Sequence, residues 1–313
     1  MIKFIGRRLA LIVPLAFVIA SLAFFLIKLM PADIASTILG ETATAEQRAA
    51  LRDQLGLDRP VLAQYGDFLA TLFSGSLGNS LTNGQPVIDQ IAQRLPVTLT
   101  LAVGATILCV IIGITLGTLA ATRGGILDSV IRGAASAFLA IPGFWLAVLL
   151  VFVFAVTLHW FPSVGWVPFA TDPLEWLNHL ALPLLAIVLG ATSSIARQTR
   201  VAMLANLDMD YVATLRAAGL PEWRVVWIHA LRNSAIPVLT SVGLQFVGIF
   251  GGVVLVEQVF ALPGIGQLAL VSTTTGDVTV ITGVVIVTSL VILTMNLLVD
   301  IVYAIVNPKA RTV

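Results

Sequence analysis

Apolar residues in this chain gather into six long runs, at Leu9–Ile27, Val97–Ala121, Val130–Leu158, Leu180–Ala196, Ala235–Ala261 and Val280–Val306. An α-helix needs roughly 20 apolar residues to cross the hydrocarbon core of a bilayer. The pattern therefore predicts an all-α membrane protein with about six transmembrane helices, the longer of which tilt or extend past the membrane. Between the first two runs lies a polar interval, 31–96, with amphipathic character of its own. Thr44-Ala-Glu-Gln47 has the spacing of a capping box, and the short helix it opens should stop at Gly56. Pro60 suits the first turn of a second helix running to about Phe73. This interval is too small for an independent core, so it should pack on the membrane helices and offer a surface to an external partner.

Composition agrees with the membrane assignment. The chain is 58% hydrophobic and 11% charged, against about 25% charged in soluble domains. A net charge of +1, with no basic stripe, gives no footprint for nucleic acid. Cys109, the single cysteine, sits in an apolar run and reads as a small buried hydrophobe. Basic residues set the orientation. With the N-terminus in the cytoplasm, Lys3, Arg7, Arg8, Arg123, Arg132, Arg197, Arg200, Arg216, Arg224, Arg232, Lys309 and Arg311 lie inside; Lys28, Arg48, Arg52, Arg59 and Arg94 lie outside. Both termini are then expected in the cytoplasm. The first run is too long for a signal-peptide core and is followed by no clear small-x-small cleavage site, so it reads as an uncleaved anchor. The expected organisation is 1–30 for the N-terminal end and first helix, 31–96 for an external segment, and 97–313 for a five-helix core carrying a cytoplasmic loop at 198–234.

That loop is a charged, helix-forming insert between two spans. Asp210 is placed to cap a helix through Ala218, which Gly219 would end. Pro221 would start a second helix containing Trp223, Val226 and Trp227. Two short helices joined at Gly219-Leu-Pro form a compact elbow able to transmit force; an ordinary amphipathic connector has the same periodicity. A second aromatic-rich loop, from His159 through Trp166 to Trp176, reads either as an interfacial belt or as part of an outer gate. Within the spans, Gln245, Glu257, Asn296 and Asp300 are the polar groups whose insertion is costly. Gln245, Glu257 and Asn296 are candidates for the translocation pathway, with interhelical pairing as the alternative for each. Gly248, Gly251 and Gly252 would let helices approach closely.

The stretch from Asp208 to Pro237 resembles the cytoplasmic EAA loop of permease subunits in binding-protein-dependent ABC importers, in the form found in the dipeptide, oligopeptide and nickel branch. Gly219 matches the most characteristic position of that loop, and Tyr211, Arg216, Ala217, Ala218 and Leu220 fit the peptide-type form. Ala213 stands where the general pattern has glutamate, and Leu231-Arg232 where it has Leu-Pro; His229-Ala-Leu-Arg-Asn233 and Pro237 are the branch's own spelling. No glutamate role is carried over. Further along the chain, Arg7-Arg8, Met30-Pro-Ala-Asp33, Leu55-Gly-Leu-Asp-Arg-Pro60, Gln64-Tyr65, Gly75-Ser-Leu-Gly-Asn-Ser80, Ile141-Pro-Gly-Phe-Trp145, Val259-Phe-Ala-Leu-Pro-Gly-Ile-Gly266, Asn296-Leu-Leu-Val-Asp300 and Asn307-Pro308 are similar, in this order, to the B-type subunits of dipeptide and oligopeptide importers.

The resemblance implies a type I importer (MetI-like) transmembrane fold with an external helical segment between helices 1 and 2, in a bacterial or archaeal plasma membrane. It implies a related C-type permease subunit, two cytoplasmic ATPases that bind ATP and Mg, and an extracytoplasmic binding protein that delivers short peptides. Nickel complexes, glutathione or oligosaccharides are the alternative cargoes. The coupling residues it marks are Asp210, Tyr211, Arg216, Ala217, Ala218, Gly219, Leu220, Pro221 and Trp223, and it implies that the first helix of this loop enters a groove of the ATPase. No Gly-Lys pair of a phosphate-binding loop is present, so hydrolysis falls to partners. His159, His179 and His229 are scattered and suggest no metal site, and no Gly-x-Ser-Gly nucleophile turn is found. The rival class, a gradient-driven secondary transporter, would be expected to show mid-span ionisable groups and related halves.

Overall fold

A computed structural model of the chain describes residues 2–29, 34–40 and 42–306. Met30-Pro-Ala-Asp33, Asn307-Pro308, Lys309 and Arg311 lie outside the described residues. Among those described, helices account for all regular structure, apart from an isolated bridge between Asn79 and Pro86.

Five helices are long and apolar enough to span a membrane: α1 (Ile2–Lys28), α5 (Val87–Arg123), α8 (Pro173–Leu207), α12 (Ala235–Val259) and α14 (Val278–Val306). The run expected as a third continuous span is instead two helices, α6 (Gly125–Ala140) and α7 (Gly143–Leu150), set at 97°. The break has a local cause. Pro142 has no N–H to donate and disfavours helical geometry in the residue before it, and Ile141 is accordingly extended, at φ −92°, ψ 124°. After α7 the helix widens into a π turn over Val151–Thr157, which closes where His159 takes a left-handed φ of 55°. The other short helices are α2 (Ile34–Leu39), α3 (Ala45–Gln54), α4 (Val61–Phe73), α9 (Asp210–Ala217), α10 (Glu222–Arg224), α11 (Leu231–Asn233) and α13 (Ile265–Thr274). Helix α5 starts ten residues before the expected Val97 and, at 37 residues, is roughly 55 Å long, well beyond the thickness of the hydrocarbon core.

The chain divides into two compact units. The unit built from Leu9–Pro96 and Gly264–Leu293 has a small core of Val87, Ile91, Ile265, Leu268, Val280 and Val284. Helix α3 has the expected capping box: Gln47 N donates to Thr44 Oγ1 at 3.2 Å and Thr44 N to Gln47 Oε1 at 2.9 Å. Gly56 follows with φ +64°. Helix α4 lies on α1 through Phe24, Phe25, Tyr65 and Phe68, whose neighbouring rings are 5.1–6.2 Å apart and together contribute a few kcal/mol beyond area burial, at about 0.5–1.5 each. Ser21 and Tyr65 share a hydrogen bond of 2.7 Å, and Lys28 Nζ donates to Gln64 Oε1. The Gln64-Tyr65 motif thus holds the polar interval onto the first span. Ser80, from the Gly75–Ser80 motif, donates with Thr82 to Asp277, a buried carboxylate that also accepts from Val280 N at 3.2 Å. A loop is thereby pinned to the first turn of α14.

The other unit, from Met1–Arg8, Val97–Pro263 and Thr294–Val313, is organised around α8, which packs on α6, α7 and α12. Asp172 caps α8, accepting from Leu174 N and Glu175 N at 2.9 and 3.1 Å, with Pro173 at its first position. Helices α5 and α8 meet at Gly113 and Gly117, where a Cβ would fall 2.8 Å from Ile195 and 2.5 Å from the Ala196 carbonyl oxygen. This is a small-xxx-small contact, the arrangement that lets helix backbones close on each other in lipid. The glycines expected to do this lie elsewhere: a Cβ at Gly251 or Gly252 meets nothing within 4 Å, and one at Gly248 only Gln245. In this chain their face is open. Arg8 and Asp300 pair at 2.5 Å, so the start of α1 and the last turns of α14 lie at the same end.

Candidate functional site

The loop between α8 and α12 folds as the elbow read from its sequence, with one difference at the start. The residue that caps α9 is Met209, extended at ψ 147°, and it offers no side-chain bond. Asp210 is instead the first helical residue, where its charge faces the positive end of the helix dipole. The other end of α9 closes in a Schellman arrangement: Leu220 N donates to Leu215 O at 3.2 Å and Gly219 N to Arg216 O at 3.0 Å. Gly219 has φ +78°, a conformation that costs an L-residue with a side chain roughly 1–2 kcal/mol. Pro221 then fixes an extended entry to the second arm, at ψ 141°. That arm runs through α10, a π turn over Val225–Ala230, and α11.

A bidentate ion pair that the sequence reading missed spans the bend. Arg216 Nε and Nη2 donate to Glu222 at 3.1 and 2.7 Å. These hydrogen bonds hold the Glu222 carboxyl below the ordinary carboxylate range, with the guanidinium charge as a further cause. They also raise the Arg216 guanidinium. A six-residue separation across a Gly-Leu-Pro bend does not belong to helical i,i+4 pairing, so only the turn geometry reveals the bridge.

The second arm is seated on its own unit by apolar contacts. Met203, Val226 and Ala230 form a buried cluster against Ala121, Leu207 and Leu231, and Val212 and Val225 are also fully buried. Ser234 Oγ donates to Ala202 O at 3.1 Å. The tip is outward: Ala217, Ala218, Gly219 and Pro221 are exposed and Leu220 is half-buried. Trp223 is 58% exposed, with the Arg224 guanidinium 5.3 Å from its ring. Trp227 and Ile228 are exposed as well. The elbow is therefore a stiff, anchored projection with an apolar, aromatic outer surface.

Close to its root lies a second feature absent from the sequence reading. Asp128, near the start of α6 and 7% exposed, accepts a bidentate fork from Arg200 of α8 at 2.6 and 2.7 Å and lies 3.2 Å from Arg132. The partners are 72 residues apart, which no local pattern signals.

The candidate pathway residues occupy different surroundings. Glu257 is fully buried and accepts from Thr98 Oγ1 at 2.6 Å. Gln245 is half-buried on α12, and Asn296 is exposed on α14, its Oδ1 3.7 Å from where a Cβ on Gly243 would lie. Cys109 is buried, with Sγ 3.9 Å from Val188 O. Among the described residues there is no group of three or more His, Cys, Asp and Glu side chains able to hold a metal ion.

An all-α chain with five to six helices long and apolar enough to cross a membrane falls in the class of multi-pass membrane proteins. Two family models match it: "Binding-protein-dependent transport system inner membrane component" over residues 113–312, and the N-terminal part of such components over residues 1–102. The chain is a member of this family of permease subunits. It is 41% identical over 312 residues to a protein of Brucella abortus, provisionally named a peptide transport system permease, with 99% of each chain covered. It is 38% identical to a di/tripeptide transport system permease of Pseudomonas aeruginosa and 36% to a glutathione transport system permease of Escherichia coli, again over 99% of both chains. Among solved structures, an inward-facing form of the MetNI methionine ABC transporter superposes with a TM-score of 0.58 at 18% identity, covering 70% of this chain and 97% of that one. That likeness fixes the fold as the MetI-like importer type.

Proposed function

We propose that this permease forms half of the translocation pathway of a peptide-class ABC importer and is driven by partner ATPases through the elbow around Gly219. The observation that carries the reading is mechanical. The elbow is closed by a Schellman turn, bridged by Arg216 and Glu222, and seated through Met203, Val226 and Ala230 on the end of α8. A push on such a projection reaches α8, the helix about which its unit is packed. Short peptides are the favoured cargo, since relatives across nearly the whole length bear the names of peptide, di/tripeptide and glutathione permeases. Glutathione is itself a short peptide and falls in the same cargo class.

The second permease, two ATPases binding ATP and Mg, and an extracytoplasmic binding protein complete the machine in this reading. The elbow and both termini face the cytoplasm. ATP-driven closure of the ATPases draws the two elbows together, and the spans move to an outward-open packing. The binding protein releases its cargo, and hydrolysis restores the inward-open state. A gradient-driven carrier is the weaker reading, because Glu257 and Asp300, the two carboxylates expected within the spans, are already engaged, with Thr98 and with Arg8.

The test is purification from the native membrane in mild detergent, followed by peptide-uptake and ATPase assays on the reconstituted complex. Recovery of a second permease and ATPases is expected, with uptake that requires ATP. Uptake by the chain alone, insensitive to loss of any ATPase, would overturn the reading.

A further inference from the structure

The inner side of the elbow holds a cup that none of the foregoing uses. It is lined by Tyr211, Thr214 and Leu215 from the first arm and by His229, Arg232 and Asn233 from the second. These last three are the polar members of the His229-Ala-Leu-Arg-Asn233 motif, which neither the bend nor the apolar seat accounts for.

Chemically the cup is one-sided. Arg232 brings a permanent positive charge and a planar fork of donors, Asn233 two amide donors, and His229 a ring N–H. Thr214 Oγ1 already donates to Asp210 O at 3.0 Å. The Tyr211 hydroxyl is buried and has no hydrogen-bond partner. No carboxylate is among the lining residues. Arg232 has no aspartate or glutamate partner among the described residues, a state it shares with Arg94, Arg123, Arg197 and Arg224; what sets it apart is its place in this donor-lined cup. The nearest ion pair of the elbow, Arg216 with Glu222, is closed on itself. A guanidinium flanked by amide and imidazole donors, in a lining without an acidic residue, marks a site that an anionic acceptor would complete.

We infer that this cup is a receptor for one carboxylate side chain of the partner ATPase. The inference rests on the ATPase-coupling reading above and adds to it the chemistry of the contact. A carboxylate fits because its two oxygens match the guanidinium fork in a bidentate pair, leaving acceptor capacity for Asn233. A protein is favoured over a free anion because the same arm exposes Trp223, Trp227 and Ile228, an apolar surface that only a macromolecular partner would cover. The aromatic residues would supply area and the cup would supply register. An ATPase subunit with its acidic residue elsewhere would leave Arg232 unmatched, which is how such a contact selects the right partner.

The experiment uses the complete importer with Arg232→Lys in this chain. Lysine keeps the cation and supplies a primary amine. A water-soluble carbodiimide activates a neighbouring carboxylate, the lysine nitrogen attacks its acyl carbon, and an amide forms while the carbodiimide leaves as a urea carrying the oxygen. Mass spectrometry of the digest should then show position 232 joined to an aspartate or glutamate of the ATPase, and the wild-type complex should show no link at that position. In parallel, Arg232→Ala should weaken capture of the purified ATPase at least tenfold and flatten its salt dependence, with Arg232→Lys largely restoring both. Arg232 is exposed in the chain, so neither substitution should disturb membrane insertion. If wild type captures the ATPase while Arg232→Lys forms no link and Arg232→Ala binds as tightly, the carboxylate receptor is refuted and the coupling reading stands. A link from position 232 to lipid, with none to the ATPase, refutes it as well. If wild type captures no ATPase at all, the coupling reading falls first.

Discussion

Gly219 and Gly117 are both glycines for reasons of backbone, yet they should respond to substitution in opposite ways. At Gly219 a Cβ meets nothing within 4 Å, and the constraint is φ +78° alone. Gly219→Ala should therefore cost about 1 kcal/mol locally and leave insertion unchanged. A bulky charged residue there should abolish uptake by altering the exposed tip. Equal uptake by Gly219→Arg and wild type, at matched membrane levels, would show that the tip is not the lever. At Gly117 a Cβ would sit 2.5 Å from the Ala196 carbonyl oxygen and 2.6 Å from Thr199. Gly117→Leu must push α5 off α8, with an overpacking cost of about 1–3 kcal/mol, read as a lowered melting temperature in detergent. Both glycines stand in the sequence, but only the first was legible there. It ends a helix just before a Leu-Pro pair, which is a local signal, whereas close approach depends on which face of α5 meets α8. The same limit hid the Asp128–Arg200 fork, and it misplaced the packing role onto Gly251 and Gly252, whose spacing is equally suggestive and whose surroundings are empty.

Among the elements, the elbow was the most readable because its determinants are sequential: a glycine stop, a proline start, and charge on one side. The third span was the least. Hydropathy measures the length of an apolar run and is blind to backbone direction, so Val130–Leu158 counted as one helix although Ile141-Pro-Gly143 stands within it. Two expectations belong to this scale. The Arg216–Glu222 bridge depresses the glutamate, so its contribution is present above the ordinary value of 4.5 and is lost as pH falls through the lowered one. With side chains 46% and 59% exposed, solvent screening limits it to about 0.5 kcal/mol. Hydrogen exchange at Ala218–Glu222 should therefore be flat from pH 8 to 6 once corrected for intrinsic rates, and Glu222→Gln should raise it modestly at all these pH values. A variant indistinguishable from wild type would assign the stiffness of the bend to Gly219 and Pro221 alone. The α6–α7 break has its cause in Pro142, so Pro142→Ala, which restores an N–H and frees Ile141 for helical geometry, should straighten the 97° bend, as measured by spin labels on Ser136 and Val148, both exposed; an unchanged separation would move the cause to Gly143.

For the molecule as a whole, α12 is the informative surface. Its inward residues, among them Val242, Phe246, Ile249, Phe250 and Val253, are buried in the chain itself. Its other side shows Leu244 at 74% exposure, Val247 at 41%, and Gly248, Gly251 and Gly252 without close neighbours. A lipid-facing helix gains nothing from a smooth glycine face, since acyl chains accommodate branched side chains equally well. A second helix does gain, because small residues let its backbone come near. If the chain is half of a permease pair, this face is where the other half fits. Gly251→Trp should then leave the chain folded and inserted, because the open space admits the ring, while the second permease is lost on purification and uptake with it. Retention of the partner by Gly251→Trp, with normal uptake, would assign the face to lipid and move the subunit contact to another helix.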